Sequence, residues 1–126
     1  EDKLEFKNNK LTESEIRYTR MNRVFAVKPE ARLGGATYQW VSKSCQQFDY
    51  INDNIKNIKI PLILFSAEKE KIVNPKAHQV FIKEAQKLGK TYEAFLIENA
   101  QHELLIEKDE QRIATINQIF KYFDRY

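Results

Sequence analysis

The hexapeptide Ile60-Pro-Leu-Ile-Leu-Phe65 is a continuous apolar run, short and rich in branched side chains. That pattern is typical of a β-strand covered on both faces, as in a parallel sheet. Asn74-Pro75 then predicts the start of a helix, because Asn caps a first turn and Pro fits the first helical position. A second strand is predicted over residues 92–98. Two parallel strands joined by a helical crossover form a right-handed βαβ unit.

Helices are predicted on both sides of this unit. Thr12-Glu-Ser-Glu15 matches a capping box, which predicts a helix over residues 13–27 that ends before Pro29. A second helix is predicted from Gly34-Gly35 to about Asp53, and its residues at helical spacing are Tyr38, Val41, Cys45 and Phe48. The crossover helix, which Gly89 closes, is expected to bury Ala77, Val80, Phe81, Ala85 and Leu88. A final helix places on one face Ile113, Ile116, Phe120 and Phe123.

Composition excludes several classes of protein and site. The 126 residues fit one domain or a portion of a larger one, and the net charge of +3 is not concentrated in any basic block. We therefore expect no nucleic-acid partner. A single cysteine, Cys45, excludes an internal disulfide and a Cys-rich metal site, and it fits a reducing, cytoplasmic location. No apolar run approaches the roughly 20 residues that a membrane-spanning helix needs.

The predicted sheet raises a physical difficulty. The strand at residues 60–65 is apolar on both faces and needs neighbouring strands on both edges. Two strands cannot supply them, and each unpaired buried backbone group costs on the order of 1–3 kcal/mol. We therefore expect the chain to be part of a larger sheet, whose other strands lie N-terminal to Glu1 or come from another chain.

Two loops carry a resemblance to a known family. Residues 61–75, PLILFSAEKEKIVNP, resemble the acid-bearing strand and loop of α/β-hydrolases, in particular the monoacylglycerol lipase and bacterial lysophospholipase branch. In that branch the catalytic acid lies three residues before a Val, and a helix starts at the following Pro. Val73 and Pro75 match these positions, so the resemblance implies that Glu70 is the acid. Most of the family uses Asp there, and Glu68 in the same loop is a rival candidate.

The second loop, Asn99-Ala-Gln-His-Glu-Leu-Leu-Ile-Glu107, resembles the family's G-x-x-H-E-L-L-x-E loop. The resemblance implies that His102 is the catalytic base, although Asn99 replaces the usual glycine. Residues 9–14 and 34–41 resemble the cap that lysophospholipases insert before the acid strand. The implied division is a helical cap with its connecting helix over residues 1–56, and a C-terminal βαβα portion of the hydrolase core over residues 57–126.

The resemblance implies a serine esterase that hydrolyses lysophospholipids or monoacylglycerols through a Ser–His–acid triad, without cofactor or metal. The nucleophile elbow G-x-S-x-G is not in this sequence, since none of Ser14, Ser42, Ser44 and Ser66 has glycines at that spacing. The nucleophile is then expected in an N-terminal half of the same hydrolase, and the chain alone is expected to be inactive. The amphipathic cap also fits peripheral contact with the inner membrane.

A non-catalytic alternative is a βαβ module that binds a partner by strand addition or dimerises through its sheet edges. In that case Glu70 and His102 need not meet. His78 is expected to be a solvated or helix-capping residue, and Glu103 and Glu107 are expected only to offset nearby lysines.

Overall fold

The computed structural model describes residues 5–126, which contain four α-helices and a two-stranded parallel sheet. The elements in chain order are α1 (Glu15–Val27), α2 (Tyr38–Asp53), β1 (Ile63–Ala67), α3 (Pro75–Lys87), β2 (Glu93–Ile97) and α4 (Asp109–Phe123). The register runs from Ile63 opposite Glu93 to Ala67 opposite Ile97. The predicted strand–helix–strand order is confirmed, with helix α3 as the crossover.

Strand β1 begins later than the apolar run predicts. Ile60 is 70% exposed, and the strand starts only at Ile63 and continues to Ala67. Pro61 has no N–H to donate to a neighbouring strand, which explains the late start. The three-residue shift matters for the site, because it places the end of β1 directly before the loop that carries Glu68 and Glu70.

Helix α1 is capped by Ser14 rather than by Thr12, so the predicted capping box is wrong. The Ser14 hydroxyl accepts from the backbone N–H of Arg17, and the helix begins at Glu15. Thr12 is fully buried and serves a different purpose. Its hydroxyl accepts from Ser14 N–H at 2.9 Å and donates to the carbonyl of Ile106 at 2.8 Å. This side chain therefore ties the lead into α1 to the loop after β2.

The other predicted helix boundaries are confirmed. The hydroxyl of Thr37 caps α2 by accepting from Trp40 N–H, and the helix ends at Asp53. The side chain of Asn74 caps α3 by accepting from Lys76 N–H at 3.1 Å, with Pro75 in the first turn. Gly89 follows α3 with a φ of 72°, the left-handed conformation that glycine adopts at a helix end without steric cost.

Most of the buried apolar residues form two clusters, one at each end of the sheet. Ile55, Ala85 and Tyr92 pack together where the strands begin. Ala67, Ile97 and Ala100 pack together where the strands end, and Phe65, Phe95 and Leu104 pack against them. The second cluster lies under the loops that follow β1 and β2, so it supports those loops from below.

The predicted stripe of α3 is only partly buried, with Phe81 packed against the cluster that contains Ala85. On α3 only Ala85 is buried, while Val80 and Leu88 are more than half exposed. On α4 the buried residues are Gln111, Thr115 and Tyr122. The apolar face of α4 points away from the described residues instead, and its members at least half exposed are Ile113, Phe120 and Phe123. Within residues 5–126, no helix combines the length and the apolar character required to cross a membrane.

Candidate active site

Two loops meet at the carboxyl ends of the paired strands. The acid loop, residues 68–74, follows β1, and the histidine loop, residues 98–107, follows β2. Two backbone hydrogen bonds join the loops beyond the last strand pair. The N–H of Glu68 donates to the carbonyl of Ile97 at 3.1 Å, and the N–H of Lys69 donates to the carbonyl of Ala100 at 2.9 Å. Neighbouring parallel strands bring such loops to one edge of the sheet, which is where open α/β sheets build their sites.

The two predicted site residues are in contact. The Nδ1 atom of His102 lies 2.7 Å from Oε2 of Glu70, although 32 positions separate the residues in the chain. The side chain of Glu70 is only 4% exposed, whereas that of His102 is 27% exposed. The carboxylate is therefore shielded from water, while the imidazole remains accessible.

The second oxygen of Glu70 organises its own loop. Oε1 accepts from the backbone N–H groups of Ile72 at 2.6 Å and Val73 at 3.2 Å. Burial raises the pKa of the Glu70 carboxyl, but the hydrogen bonds from His102 and from these two N–H groups outweigh burial and hold the pKa below its usual range. Glu70 is therefore a carboxylate at neutral pH.

Glu68 does not contact the imidazole. Its Oε2 atom accepts from the backbone N–H of Asn99 at 2.7 Å and so joins the acid loop to the start of the histidine loop. Asn99 has a φ of 57°, a left-handed conformation that Asn tolerates better than most residues. This geometry explains how Asn99 can occupy the position where the family pattern has glycine. Of the two candidate acids, the structure brings only Glu70 to His102.

Glu107 was missed as a site residue, and the expectation that it only offsets lysine charge is wrong. It is fully buried at the end of the histidine loop. Its carboxylate accepts from the backbone N–H groups of Gln101, Glu13 and Lys108 at 2.7, 3.0 and 3.1 Å. The signal in the sequence was that Glu107 is the final Glu of the loop motif. An argument from surface charge alone does not distinguish this Glu from an exposed one.

His78 is not a solvated or capping residue. Its Nδ1 atom lies 2.7 Å from the hydroxyl oxygen of Ser66 on β1, and the contact is partly buried. Among the described residues no carboxylate lies within ion-pair distance of His78. The two histidines therefore differ in their partners, since His102 has a carboxylate and His78 a hydroxyl.

In residues 5–126 no group of three or more His, Cys, Asp or Glu side chains could hold a metal ion.

The hydrogen bond between Glu70 and His102 fixes the form of the imidazole. An ionised carboxylate can only accept, so Nδ1 of His102 carries the proton and donates. The other ring nitrogen, Nε2, is then the basic one in the neutral imidazole. This arrangement can take a proton from a neighbouring hydroxyl and can stabilise the imidazolium that forms.

Comparison with known proteins identifies the family of the chain. The family described as serine aminopeptidase, S33, matches residues 2–109. The chain belongs to this family of α/β-hydrolases. The predicted α/β-hydrolase fold class is thereby confirmed.

Curated relatives of this α/β-hydrolase chain are named lysophospholipases. Lysophospholipase L2 of Escherichia coli K12 is 33% identical over 126 residues, which cover 98% of this chain and 37% of the relative. The probable lysophospholipase L2 of Haemophilus influenzae is 36% identical over 104 residues, which cover 82% of this chain and 32% of the relative. The predicted lysophospholipase branch is confirmed. The α/β-hydrolase chain spans about a third of the length of these relatives.

Proposed function

We propose that this chain supplies the acid and the base of a Ser–His–Glu triad in a serine esterase that hydrolyses lysophospholipids or monoacylglycerols. His102 is the general base and Glu70 is the acid that orients it. The observation that carries the proposal is the 2.7 Å contact between Nδ1 of His102 and Oε2 of Glu70. No cofactor takes part in this reaction.

In this mechanism Nε2 of His102 takes the proton of the attacking serine hydroxyl as that oxygen bonds to the ester carbonyl carbon. The imidazolium that forms is stabilised by the buried carboxylate of Glu70. His102 then returns the proton to the leaving alcohol, and an acyl-enzyme remains. Water hydrolyses the acyl-enzyme by the same proton transfers and releases the fatty acid.

The lipid substrate is proposed from the relatives and from the cap. Both named relatives are lysophospholipases. The proposed cap, residues 1–56, exposes aromatic side chains on α2, with Tyr38 97% and Trp40 63% exposed. Such residues suit contact with an acyl chain or with a lipid surface. We place the enzyme in the cytoplasm, peripheral to the inner membrane, with residues 57–126 as its C-terminal core portion.

The serine nucleophile and the oxyanion donors are proposed to come from the N-terminal half of the same hydrolase. The sequence of this chain has no G-x-S-x-G elbow. The hydroxyl of Ser66 is paired with His78, away from the Glu70–His102 contact. The 126-residue chain alone is therefore proposed to be inactive.

The non-catalytic alternative, a module that captures a partner strand, receives less support. Strand addition uses backbone groups at a sheet edge and does not require a carboxylate to be buried against an accessible imidazole. Burying the carboxylate of Glu70 costs free energy unless hydrogen bonds compensate it, and His102 supplies one of those bonds. A catalytic role accounts for this arrangement, and a strand-binding role does not.

The proposal is tested by expressing the complete protein that contains this segment and measuring fatty acid released from lysophosphatidylcholine. His102→Gln is expected to lower kcat by roughly 10⁴-fold or more, because the base is removed. The matched control is His78→Gln, which changes a histidine of the same chain that has no carboxylate partner among residues 5–126. An equal loss in both variants, or full activity of His102→Gln, would contradict the proposed role of His102.

A further inference from the structure

The histidine loop is held from below by a second carboxylate that does not touch the imidazole. Glu107 has no exposed surface, and its two oxygens accept three backbone N–H groups. Oε1 accepts from Gln101, the residue immediately before His102, at 2.7 Å. Oε2 accepts from Glu13, in the segment before α1, at 3.0 Å. One side chain thus fixes the backbone next to His102 to a distant part of the chain.

The residue after His102 is fixed to the same segment. The backbone N–H of Glu103 donates to the carbonyl of Leu11 at 2.8 Å. The backbone N–H groups on both sides of His102 therefore have partners, one through Glu107 and one through Leu11. Two more bonds tie the end of the loop to the same region: Thr12 donates to Ile106 at 2.8 Å, and Arg17 donates to the carbonyl of Glu107 at 2.6 Å.

We propose that Glu107 is a positioning residue for His102, which it holds against Glu70 by clamping the backbone N–H of Gln101 to that of Glu13. This inference rests on the proposed function of His102 as the base. The position of the imidazole is then set from two directions: Glu70 fixes the ring, and Glu107 fixes the backbone that carries the ring.

Only a carboxylate of this length satisfies the clamp. Both oxygens of Glu107 accept, and every partner is a donor. A Gln side chain has one oxygen and one NH₂ group, so one backbone N–H would face another donor. An Asp side chain keeps the charge but is one methylene shorter, so it cannot reach both Gln101 and Glu13. Loss of a buried, charge-assisted hydrogen bond then leaves a buried N–H without a partner.

The test compares Glu107→Gln and Glu107→Asp with Glu103→Gln in the complete protein that contains this segment. The control changes an exposed glutamate of the same loop. In Glu107→Gln, hydrogen exchange of the Gln101 amide should accelerate by roughly 10- to 100-fold, as expected for loss of a hydrogen bond to a charged group. The low-field NMR signal of the His102 Nδ1 proton should weaken or shift. The amide of Glu93, bonded to Leu62 within the sheet, should keep its exchange rate if the fold is intact.

In the complete protein, Glu107→Gln should lower kcat with little change in KM, and Glu107→Asp should recover part of kcat. Wild-type exchange at Gln101 together with an unchanged ring-proton signal in Glu107→Gln would overturn the positioning role. If both Glu107 variants unfold, hydrogen exchange in the native protein still tests the clamp. A Gln101 amide that exchanges rapidly relative to the Glu93 amide would overturn it. Failure of the proposed function would give a different result from failure of the positioning role. His102→Gln would then retain activity, whatever the effect of Glu107→Gln.

Discussion

The two oxygens of Glu70 have different partners, and this difference suits the proposed role of the residue as the acid. Oε1 accepts two N–H groups of its own loop, at Ile72 and Val73. Oε2 accepts from His102. The loop bonds hold the carboxylate in place before any reaction, so no reorganisation is needed when the imidazole becomes charged.

Glu70 also makes stability depend on pH. Because its pKa in the folded protein lies below the usual value, the folded state favours the carboxylate. This contribution is fully present above the usual Glu pKa of about 4.3 and is lost as pH falls through the lowered folded pKa. Glu70→Gln should lower the free energy of unfolding by about 1–3 kcal/mol at pH 7.

Urea unfolding of wild type and Glu70→Gln between pH 7 and pH 3 measures this effect. The difference between the two proteins should shrink as the pH falls below about 4.3. Glu103→Gln, at an exposed position, should change the free energy of unfolding by less than about 0.5 kcal/mol. A difference between wild type and Glu70→Gln that grows on acidification would have the wrong sign.

At the residue scale, the sequence was sufficient for some side chains and not for others. His102 and Glu70 could be predicted because each lies in a motif with fixed neighbours. Choosing Glu70 over Glu68 needed coordinates, because both carboxylates lie in one short loop and both contact the histidine loop. The role of Glu107 could not be predicted, since its partners include Glu13, which is 94 positions away in the chain.

Among the helices, α1 is the one whose predicted cap is wrong. Thr12 and Ser14 are both good caps, and Thr12 is drawn away from the helix by its bond to Ile106. Thr12→Val keeps the shape of the side chain but removes both hydrogen bonds in a fully buried position. We expect it to lower the free energy of unfolding by about 1–3 kcal/mol.

Thr12→Ser is the matched control, because it keeps the hydroxyl and loses one methyl group, which costs about 0.8 kcal/mol. Thermal or urea unfolding compares the two variants. Equal losses would mean that Thr12 acts through apolar packing rather than by joining α1 to the histidine loop.

The helical stripes show where periodicity stops being informative. A period of 3.6 residues correctly predicted that residues 109–123 form a helix, but it did not show which face is covered. In the described residues α4 buries Thr115 and Tyr122 and exposes Phe120 and Phe123. What covers a face depends on the rest of the sheet and its neighbours, which the local pattern of one helix does not contain.

For the whole molecule, an acid and a base in contact are not sufficient for an active enzyme. The 126-residue chain should show no turnover of a short-chain p-nitrophenyl ester above the buffer blank, because its sequence has no G-x-S-x-G elbow to supply the nucleophile. Spectrophotometric detection of p-nitrophenol release over hours measures this. Turnover that disappears in Ser66→Ala, the serine paired with His78, would contradict an external nucleophile.

The larger sheet that the sequence predicts stays a prediction. An apolar strand that requires neighbours on both edges predicted a larger sheet, and β1 has one partner, β2, among the described residues. The chain covers 37% of the Escherichia coli relative. The apolar pattern of a strand predicts that its faces and edges are covered. It carries no information on the order of the neighbouring strands or on the substrate.

The most direct test of the central claim is a double-mutant cycle on hydrolysis of lysophosphatidylcholine by the complete protein. If Glu70 acts through His102, Glu70→Gln should lower kcat by roughly 10²- to 10⁴-fold in the wild-type background. In a His102→Gln background the same change should have almost no effect, because the base it orients is gone. Equal losses in both backgrounds would show that the two residues act independently and would contradict the triad.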